Sequence, residues 1–195
     1  MTNDKNTVAM GSFIASESVF FVLLILAYID LHGHVAPGGP TSATALDVPV
    51  TSIYTVCLIS SSFTLWKAEN ALRREQQLQK SEETPRTGTS LWLSLTVLLG
   101  AIFLFGQARE YHHLYASGVT VGRNLFATSF FTLTGFHGLH VFIGLIMLLI
   151  LTGLHAAGEF RRMPASVLEA IGLYWHFVDV VWIVLFSIIY LRVLG

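Results

Sequence analysis

The 195-residue sequence has few charged residues, a single cysteine and no excess of charge of either sign. Asp, Glu, Lys and Arg make up 12% of it, about half of the roughly 25% that is usual in a soluble domain. The formal net charge of −1 leaves no basic surface for a nucleic-acid partner. Cys57 alone cannot form a disulfide scaffold. These shortages exclude an ordinary soluble domain, a nucleic-acid-binding protein and a disulfide-rich protein.

Hydrophobic residues are abundant instead, at 53% of the sequence, and they are concentrated in long runs. Three runs contain no Asp, Glu, Lys or Arg: residues 48–66, 87–108 and 124–158. Residues 6–29 and 170–191 are each interrupted by one acid, Glu17 and Asp179. A helix needs ~20 mostly apolar residues to cross ~30 Å of hydrocarbon. The pattern therefore predicts an all-α, polytopic membrane helix bundle, with residues 1–195 forming a single membrane domain of five transmembrane helices.

The charge-free runs also give approximate boundaries. We place the five spans at roughly 11–31, 50–69, 90–108, 125–152 and 168–192, with a charged loop at 70–89. The stretch from Lys67 to Arg86 is expected to be a solvated helical extension that ends near Thr84-Pro85, because the residue before a proline disfavours the helical conformation. Aromatic residues near the span ends are typical of an interfacial belt, namely Tyr28, Tyr54, Trp66, Trp92, Tyr111, Tyr115 and Tyr190.

The orientation follows from the distribution of Lys and Arg, which accumulate on the cytoplasmic side of membrane proteins. If the N-terminus is cytoplasmic, that side receives Lys5, Lys67, Arg73, Arg74, Lys80, Arg86, Arg161 and Arg162. The other side then receives Arg109, Arg123 and Arg192. The sequence therefore predicts a cytoplasmic N-terminus, a cytoplasmic loop 70–89 and a C-terminus on the outside.

Several ionisable side chains fall within the predicted spans, where each costs at least ~2.5–3.5 kcal/mol on insertion scales. They are Glu17 in the first span, His137 and His140 in the fourth, and Glu169, His176 and Asp179 in the fifth. A spacing of three residues puts the two histidines of the fourth span on one helix face, and the same holds for His176 and Asp179. We expect these side chains to face neighbouring helices instead of lipid.

Three interpretations of these polar residues remain open from their chemistry alone. They can join helices by hydrogen bonds across the bundle. They can bind a metal or a haem, because His-x-x-His and His-x-x-Asp are spacings at which two side chains can share a ligand. They can also serve a proton-linked or lipid-binding role. The sequence contains no nucleophile elbow, P-loop or dinucleotide-binding loop, so no catalytic residue is assigned.

Four segments of the sequence resemble one known family. They are SFIASESVFF (Ser12–Phe21), GQAREYHHL (Gly106–Leu114), TGFHGLHVFIG (Thr134–Gly144) and YWHFVDVVW (Tyr174–Trp182). Together they resemble subunit III of the haem-copper terminal oxidases, the cytochrome c oxidase subunit 3 family. The four segments belong to the first, third, fourth and fifth spans, and the resemblance as a whole extends over all five spans in the family's order. The longest members have seven spans, and this sequence begins at what corresponds to their third. It therefore resembles the short five-span bacterial form.

This resemblance implies an accessory subunit of a proton-pumping oxidase that reduces oxygen in aerobic respiration. Such a subunit contacts catalytic subunit I directly, associates with subunit II and in some complexes subunit IV, and binds phospholipid between its helices. It supports proton uptake, lipid binding and the stability of subunit I. It carries no metal, because the haems and copper belong to partner subunits. The implied location is the bacterial cytoplasmic (inner) membrane.

The resemblance also assigns individual residues. The family's intramembrane glutamate corresponds to Glu17, its interior histidine to His140, and its outer-edge motif to Gln107, Glu110 and Tyr111. Two alternatives remain for the function. One is the related subunit III homologue that associates with nitric oxide reductases. The other is a stand-alone membrane haem or metal protein that uses the buried histidines and Asp179. Cytochrome c and quinol both remain open as electron donor of the complex.

A specific contact is expected between Glu17 and His140. Counted from the cytoplasmic ends of their predicted spans, they lie roughly 9 and 18 Å deep at 1.5 Å per residue. A lone carboxylate at the depth of Glu17 is costly in hydrocarbon. We therefore predict that the two side chains approach each other, with the acid either neutral or hydrogen-bonded to the imidazole.

Overall fold

The protein consists of long α-helices throughout the part of the chain that the structure, a computed structural model, describes: residues 5–32, 46–79, 88–120, 125–157 and 165–191. The helices are α1 (Lys5–His32), α2 (Val48–Gln79), α3 (Thr89–Ala116), α4 (Leu125–Ala156) and α5 (Ala165–Ile189). These described residues contain no β-strand, and each helix is long and apolar enough to cross a membrane. The prediction of an all-α, five-span membrane protein is confirmed.

The helices extend beyond the predicted spans, because a charge-free run marks the hydrocarbon core and not the ends of a helix. α1 begins at Lys5, well before the predicted start at residue 11. α2 continues to Gln79, so half of the predicted loop 70–89 is helical. The expected helical extension after Lys67 is therefore present as far as the described residues reach, whereas Thr84-Pro85 lies outside them.

The extension of α2 is not fully solvated, which corrects one expectation. Ala68 and Leu72 are buried at 0% and 3% exposure. Glu75, one turn further along, hydrogen-bonds to side chains of α3 and α4. The extension therefore packs against the bundle along one face, and only its other face carries the exposed Arg73 and Arg74.

The helix contacts determine which polar residues can meet. α4 and α5 each pack against three other helices: α4 against α1, α3 and α5, and α5 against α1, α2 and α4. α2 and α3 form an antiparallel pair, and α1 packs mainly on α4 and α5. Because successive helices alternate in direction, one end of the bundle holds the start of α1, the end of α2 and the start of α3. We call this end the N-side and the opposite end the C-side.

Trp175 of α5 fixes the spacing of α3 and α4. Its ring is 1% exposed and lies between Gly100 of α3 and Gly144 of α4. A Cβ atom added at either glycine would come within 2.8 Å of a ring carbon, closer than packed carbon atoms approach. Small residues at such positions let helices pack closely in membranes. The two glycines therefore hold α3, α4 and α5 together around one aromatic ring.

The outer surface of the bundle is strongly apolar, as contact with lipid or with a partner helix requires. Leu23 of α1, Leu91 and Phe105 of α3 are 61%, 68% and 68% exposed. The predicted aromatic belt is only partly present on this surface. Tyr28 and Tyr190 are 3% and 5% exposed, because both side chains turn into the bundle instead of facing the membrane interface.

Candidate functional site: buried polar contacts between the helices

The predicted contact between Glu17 and His140 is present. Glu17 Oε2 lies 3.1 Å from His140 Nε2, and the two side chains are 21% and 11% exposed. The pair joins α1 to α4, inside both candidate membrane spans. α1 starts earlier than predicted, so Glu17 lies about 18 Å from its N-terminal end at 1.5 Å per residue. The difference in depth between Glu17 and His140 is therefore smaller than the sequence suggested.

The hydrogen-bond partners of His140 restrict where protons can be placed on the imidazole and on the Glu17 carboxyl group. His140 Nδ1 lies 2.7 Å from the backbone oxygen of Phe136. A carbonyl oxygen only accepts, so Nδ1 donates and Nε2 faces the carboxylate. Either a neutral Glu17 carboxyl donates to Nε2, or a charged imidazole donates to the carboxylate. In both states one proton lies between the two residues. Aromatic rings flank the histidine, since the ring centroids of Phe21 and Tyr174 lie 5.0 and 6.5 Å from that of the imidazole.

His137 is buried on the same face of α4 but does not join this pair. It is 0% exposed, stacks on Trp182 of α5 at 4.8 Å and meets the edge of Phe103 at 6.0 Å. Neither ring nitrogen has a hydrogen-bond partner among the described residues. The expectation that His137 faces neighbouring helices is confirmed, and its immediate contacts are aromatic.

His176 and Asp179 meet at a residue that the sequence analysis did not single out. Ser62 Oγ of α2 lies 2.8 Å from His176 Nδ1 and donates to Asp179 Oδ2. Asp179 is 4% exposed, and its second oxygen is buried without a partner among the described residues. The three side chains join α2 to α5 at the level of the hydrocarbon. A serine is a weak signal in a sequence, because most serines in membrane helices bond to their own backbone.

Glu169 lies nearer the N-side and is more exposed than its place in the predicted span suggests. Its carboxylate lies 3.0 Å from Arg73 of α2, and the two side chains are 37% and 58% exposed. One turn along α5, Gly172 packs directly against the carboxylate of Glu69. Glu169 therefore forms a surface ion pair at the bundle end, and its side chain is more exposed than those of Glu17 and His140.

The outer-edge motif forms two contacts at the C-side. Glu110 accepts hydrogen bonds from Tyr190 at 2.6 Å and from Thr51 at 3.1 Å, so α3 is tied to α2 and to the residue that follows α5. The second contact is formed by Gln107, Tyr111 and Thr134. The amide nitrogen of Gln107 donates to the Thr134 carbonyl oxygen at 2.7 Å. The hydroxyls of Tyr111 and Thr134 lie 2.7 Å apart. The motif therefore joins α3 to α2, to α4 and to the residue that follows α5.

A second carboxylate–imidazole pair was missed by the sequence analysis. Glu75 Oε2 of α2 lies 3.0 Å from His155 Nε2 of α4, with side-chain exposures of 17% and 16%. Both members have a further partner in α3. Thr89 donates to Glu75 Oε1 at 2.7 Å, and Ser90 Oγ lies 2.6 Å from His155 Nδ1. Four side chains thus connect three helices at the N-side.

These contacts are distributed over the whole bundle and do not converge on one centre. The described residues contain no group of three or more His, Cys, Asp or Glu side chains arranged to hold a metal ion. What the geometry offers chemically is a set of interhelical hydrogen bonds, one of which joins a carboxyl group to an imidazole inside two candidate spans. The sequence-predicted residues are all placed at helix contacts, and their pairing partners come mainly from Ser, Thr and Tyr.

Comparison with known proteins gives a consistent result. The family described as cytochrome c oxidase subunit III matches residues 4–193. The chain is 41% identical over 181 residues to "Cytochrome c oxidase subunit 3" of Synechocystis sp., covering 92% of this chain and 72% of the relative. It is 37% identical to the protein of the same name from Corynebacterium diphtheriae, covering 96% and 89%. It is also 35% identical to "Cytochrome bo(3) ubiquinol oxidase subunit 3" of Pseudomonas aeruginosa, covering 92% and 81%.

Proposed function

The chain belongs to the cytochrome c oxidase subunit III family, and we propose that it is the accessory subunit III of a proton-pumping haem-copper terminal oxidase. It packs against catalytic subunit I, associates with subunit II, and carries no haem or copper of its own. Its role is to support proton uptake, lipid binding and the stability of subunit I in the bacterial cytoplasmic membrane. Relatives named for cytochrome c and for ubiquinol leave the electron donor open.

The observation that carries this proposal is the contact between Glu17 and His140. A carboxyl and an imidazole that share one proton inside the span can hold that proton without leaving a bare charge in hydrocarbon. The pair also ties α1 to α4, and Tyr174 of α5 donates to the His140 backbone oxygen at 3.0 Å. A rigid surface of three helices with a neutralised acid is suited to seal and support a neighbouring catalytic subunit.

The proposal is tested with Glu17→Gln in the assembled oxidase. Glutamine keeps the shape and one hydrogen bond but cannot exchange the proton. We expect the haem absorption spectrum and most of the initial turnover to remain, because Glu17 does not reduce oxygen. The enzyme should take up protons more slowly, lose phospholipid during purification, or inactivate after several-fold fewer turnovers. Turnover number before inactivation is the decisive measurement.

Glu75→Gln is the matched control, because it alters the other buried carboxylate that pairs with a histidine. It should leave the lifetime during turnover close to that of the unmodified complex. If both variants shorten the lifetime equally, the effect belongs to general loosening of the bundle and not to Glu17. A Glu17→Gln complex that is indistinguishable from the unmodified one in all three properties would contradict the proposed role.

The orientation is part of the same proposal. Reporter fusions after Gln79 should report the cytoplasm, because the end of α2 lies on the side that carries most Lys and Arg. Fusions after Gly195 should report the opposite side. A cytoplasmic signal after Gly195 would invert the topology and with it the side from which Glu17 exchanges protons.

A further inference from the structure

A groove of about 500 Å³ opens between α2 and α3 at the N-side. Its main lining residues are Trp66, Lys67, Asn70, Arg74, Gly88 and Trp92. The groove lies between α2 and α3, whereas the Glu17–His140 pair lies between α1 and α4, so the two are separate features. None of the described residues that line the groove is acidic.

The polar side chains of the groove come from one face of α2. Lys67, Asn70 and Arg74 are spaced by three and four residues, which aligns them along the helix. The acids of this part of α2 are directed elsewhere. Glu69 packs against Gly172 of α5, and Glu75 pairs with His155 of α4. The groove therefore combines two positive charges with an amide and has no carboxylate among its described lining residues to neutralise them.

An exposed aromatic surface adjoins these cations. The Lys67 ammonium lies 5.3 Å from the ring centroids of both Phe63 and Trp66, a distance at which a cation is attracted to the ring face. Phe63 and Trp66 are 57% and 50% exposed. The charge-free run 48–66 ends at Trp66, so the cations lie where the hydrocarbon meets the headgroup region. An aromatic residue at this depth is typical of the membrane interface.

The start of α3 adds a third positive element. Gly88 is the N-cap of α3, and no side chain caps the free amide groups of its first turn. The N-terminus of a helix carries a partial positive charge and binds anions through such amides. Gly88 itself lines the groove. The helix end therefore supplements the two basic side chains on the opposite wall.

We propose that this groove binds an anionic glycerophospholipid, with its phosphate between Lys67, Asn70 and Arg74 and its acyl chains along Phe63 and Trp66. The exposed aromatic surface lies directly next to the cations, on the side that faces the hydrocarbon. This arrangement matches a ligand with a charged head and apolar chains, and not a soluble anion. The inference adds a place and a headgroup charge to the lipid binding proposed above. It does not depend on Glu17, so either proposal can fail alone.

Tryptophan fluorescence provides a direct test on the full chain in phosphatidylcholine nanodiscs. Trp66 and Trp92 line the groove, whereas Trp175 and Trp182 are 1% exposed and shielded from lipid. Brominated phosphatidylglycerol should quench the fluorescence of Trp66 and Trp92 at a lower mole fraction than brominated phosphatidylcholine does. Each cation at a membrane surface contributes about a fivefold preference for anionic lipid. The Lys67→Gln/Arg74→Gln double variant should therefore lose roughly thirtyfold, which removes the difference between the two lipids.

Two variants separate the effect of charge from that of folding, and competition by inorganic phosphate separates a lipid from a soluble anion. Arg73→Gln removes a neighbouring cation that pairs with Glu169, and it should keep the preference. The exchange Lys67→Arg/Arg74→Lys retains both charges and should keep it too. Equal quenching by the two lipids in the unmodified chain overturns the proposal, as does loss of the preference in the charge-conserving exchange. Relief of the quenching by millimolar inorganic phosphate would instead identify a site for soluble anions and also overturn it.

Discussion

Two carboxylate–imidazole pairs of nearly equal length have different surroundings in this bundle. Glu17–His140 and Glu75–His155 are 3.1 and 3.0 Å long and about equally buried. The first is enclosed by aromatic rings, and its histidine is anchored by a backbone oxygen. In the second, Thr89 and Ser90 provide one hydroxyl to each partner. A carboxylate–imidazole pair therefore joins helices both inside the span and at its end. The two pairs differ in the number of additional side-chain hydrogen bonds that they accept or donate.

The largest effect is expected where the pair has least support. Glu17→Ala should lower the free energy of unfolding by about 3 kcal/mol, because removing one partner leaves the other polar group buried and unpaired. His140→Ala should have a similar effect. The double variant should cost much less than the sum, since contacting residues couple by ~0.5–3 kcal/mol. Unfolding in mixed detergent micelles measures all three, and strictly additive losses would contradict the contact.

The Glu75 pair should respond less strongly. Glu75→Ala leaves His155 with its contact to Ser90 and leaves Thr89 without its acceptor. We expect a loss of about 1–2 kcal/mol in the free energy of unfolding, which lies between the ~0.5–1.5 kcal/mol of an ordinary hydrogen bond and the ~1.5–3 kcal/mol of one to a charged group. The same detergent titration measures it. A loss larger than that of Glu17→Ala would show that hydroxyl partners do not compensate for a missing carboxylate.

Removing one supporting hydroxyl sharpens the comparison further. Ser90→Ala should cost about 1 kcal/mol, because it removes the hydrogen bond between Ser90 Oγ and His155 Nδ1. Tyr174→Phe removes the bond to the His140 backbone oxygen and should cost about the same. The two variants can be measured in parallel by thermal unfolding. A much larger loss for Tyr174→Phe would indicate that the bond to the His140 backbone oxygen, which joins α5 to α4, contributes more than the hydroxyl of Ser90 does.

The smallest effect is expected at the exposed ion pair. Arg73 and Glu169 are 58% and 37% exposed, and pairs of this kind contribute ~0–1 kcal/mol because water screens them. Arg73→Gln should therefore change the free energy of unfolding by less than about 0.5 kcal/mol, and less still in high salt. A loss comparable to that of Glu75→Ala would contradict the expectation that exposed pairs contribute less to stability than buried ones.

The sequence was sufficient to predict five helices and the Glu17–His140 contact, because a lone acid in an apolar run is conspicuous. It was not sufficient to predict the Glu75–His155 pair. Glu75 lies in a charged stretch that was assigned to solvent, and His155 lies just beyond the span predicted for α4. Ser62 was likewise missed, because its partners come from a helix more than a hundred residues away. Pairing between distant segments depends on helix rotation, which periodicity alone does not determine.

The packing of α1 on α4 and α5 has a consequence for the order of biosynthesis. α1 leaves the ribosome before the other four helices, yet the partner of its buried acid follows 123 residues later. At ~5–20 residues per second, His140 is synthesised roughly 6–25 s after Glu17. During that interval α1 carries a carboxyl group without its imidazole, so we expect Glu17 to be protonated or held near water until α4 inserts. Although α1 precedes the other four described helices, its buried acid is therefore among the last groups to gain a partner.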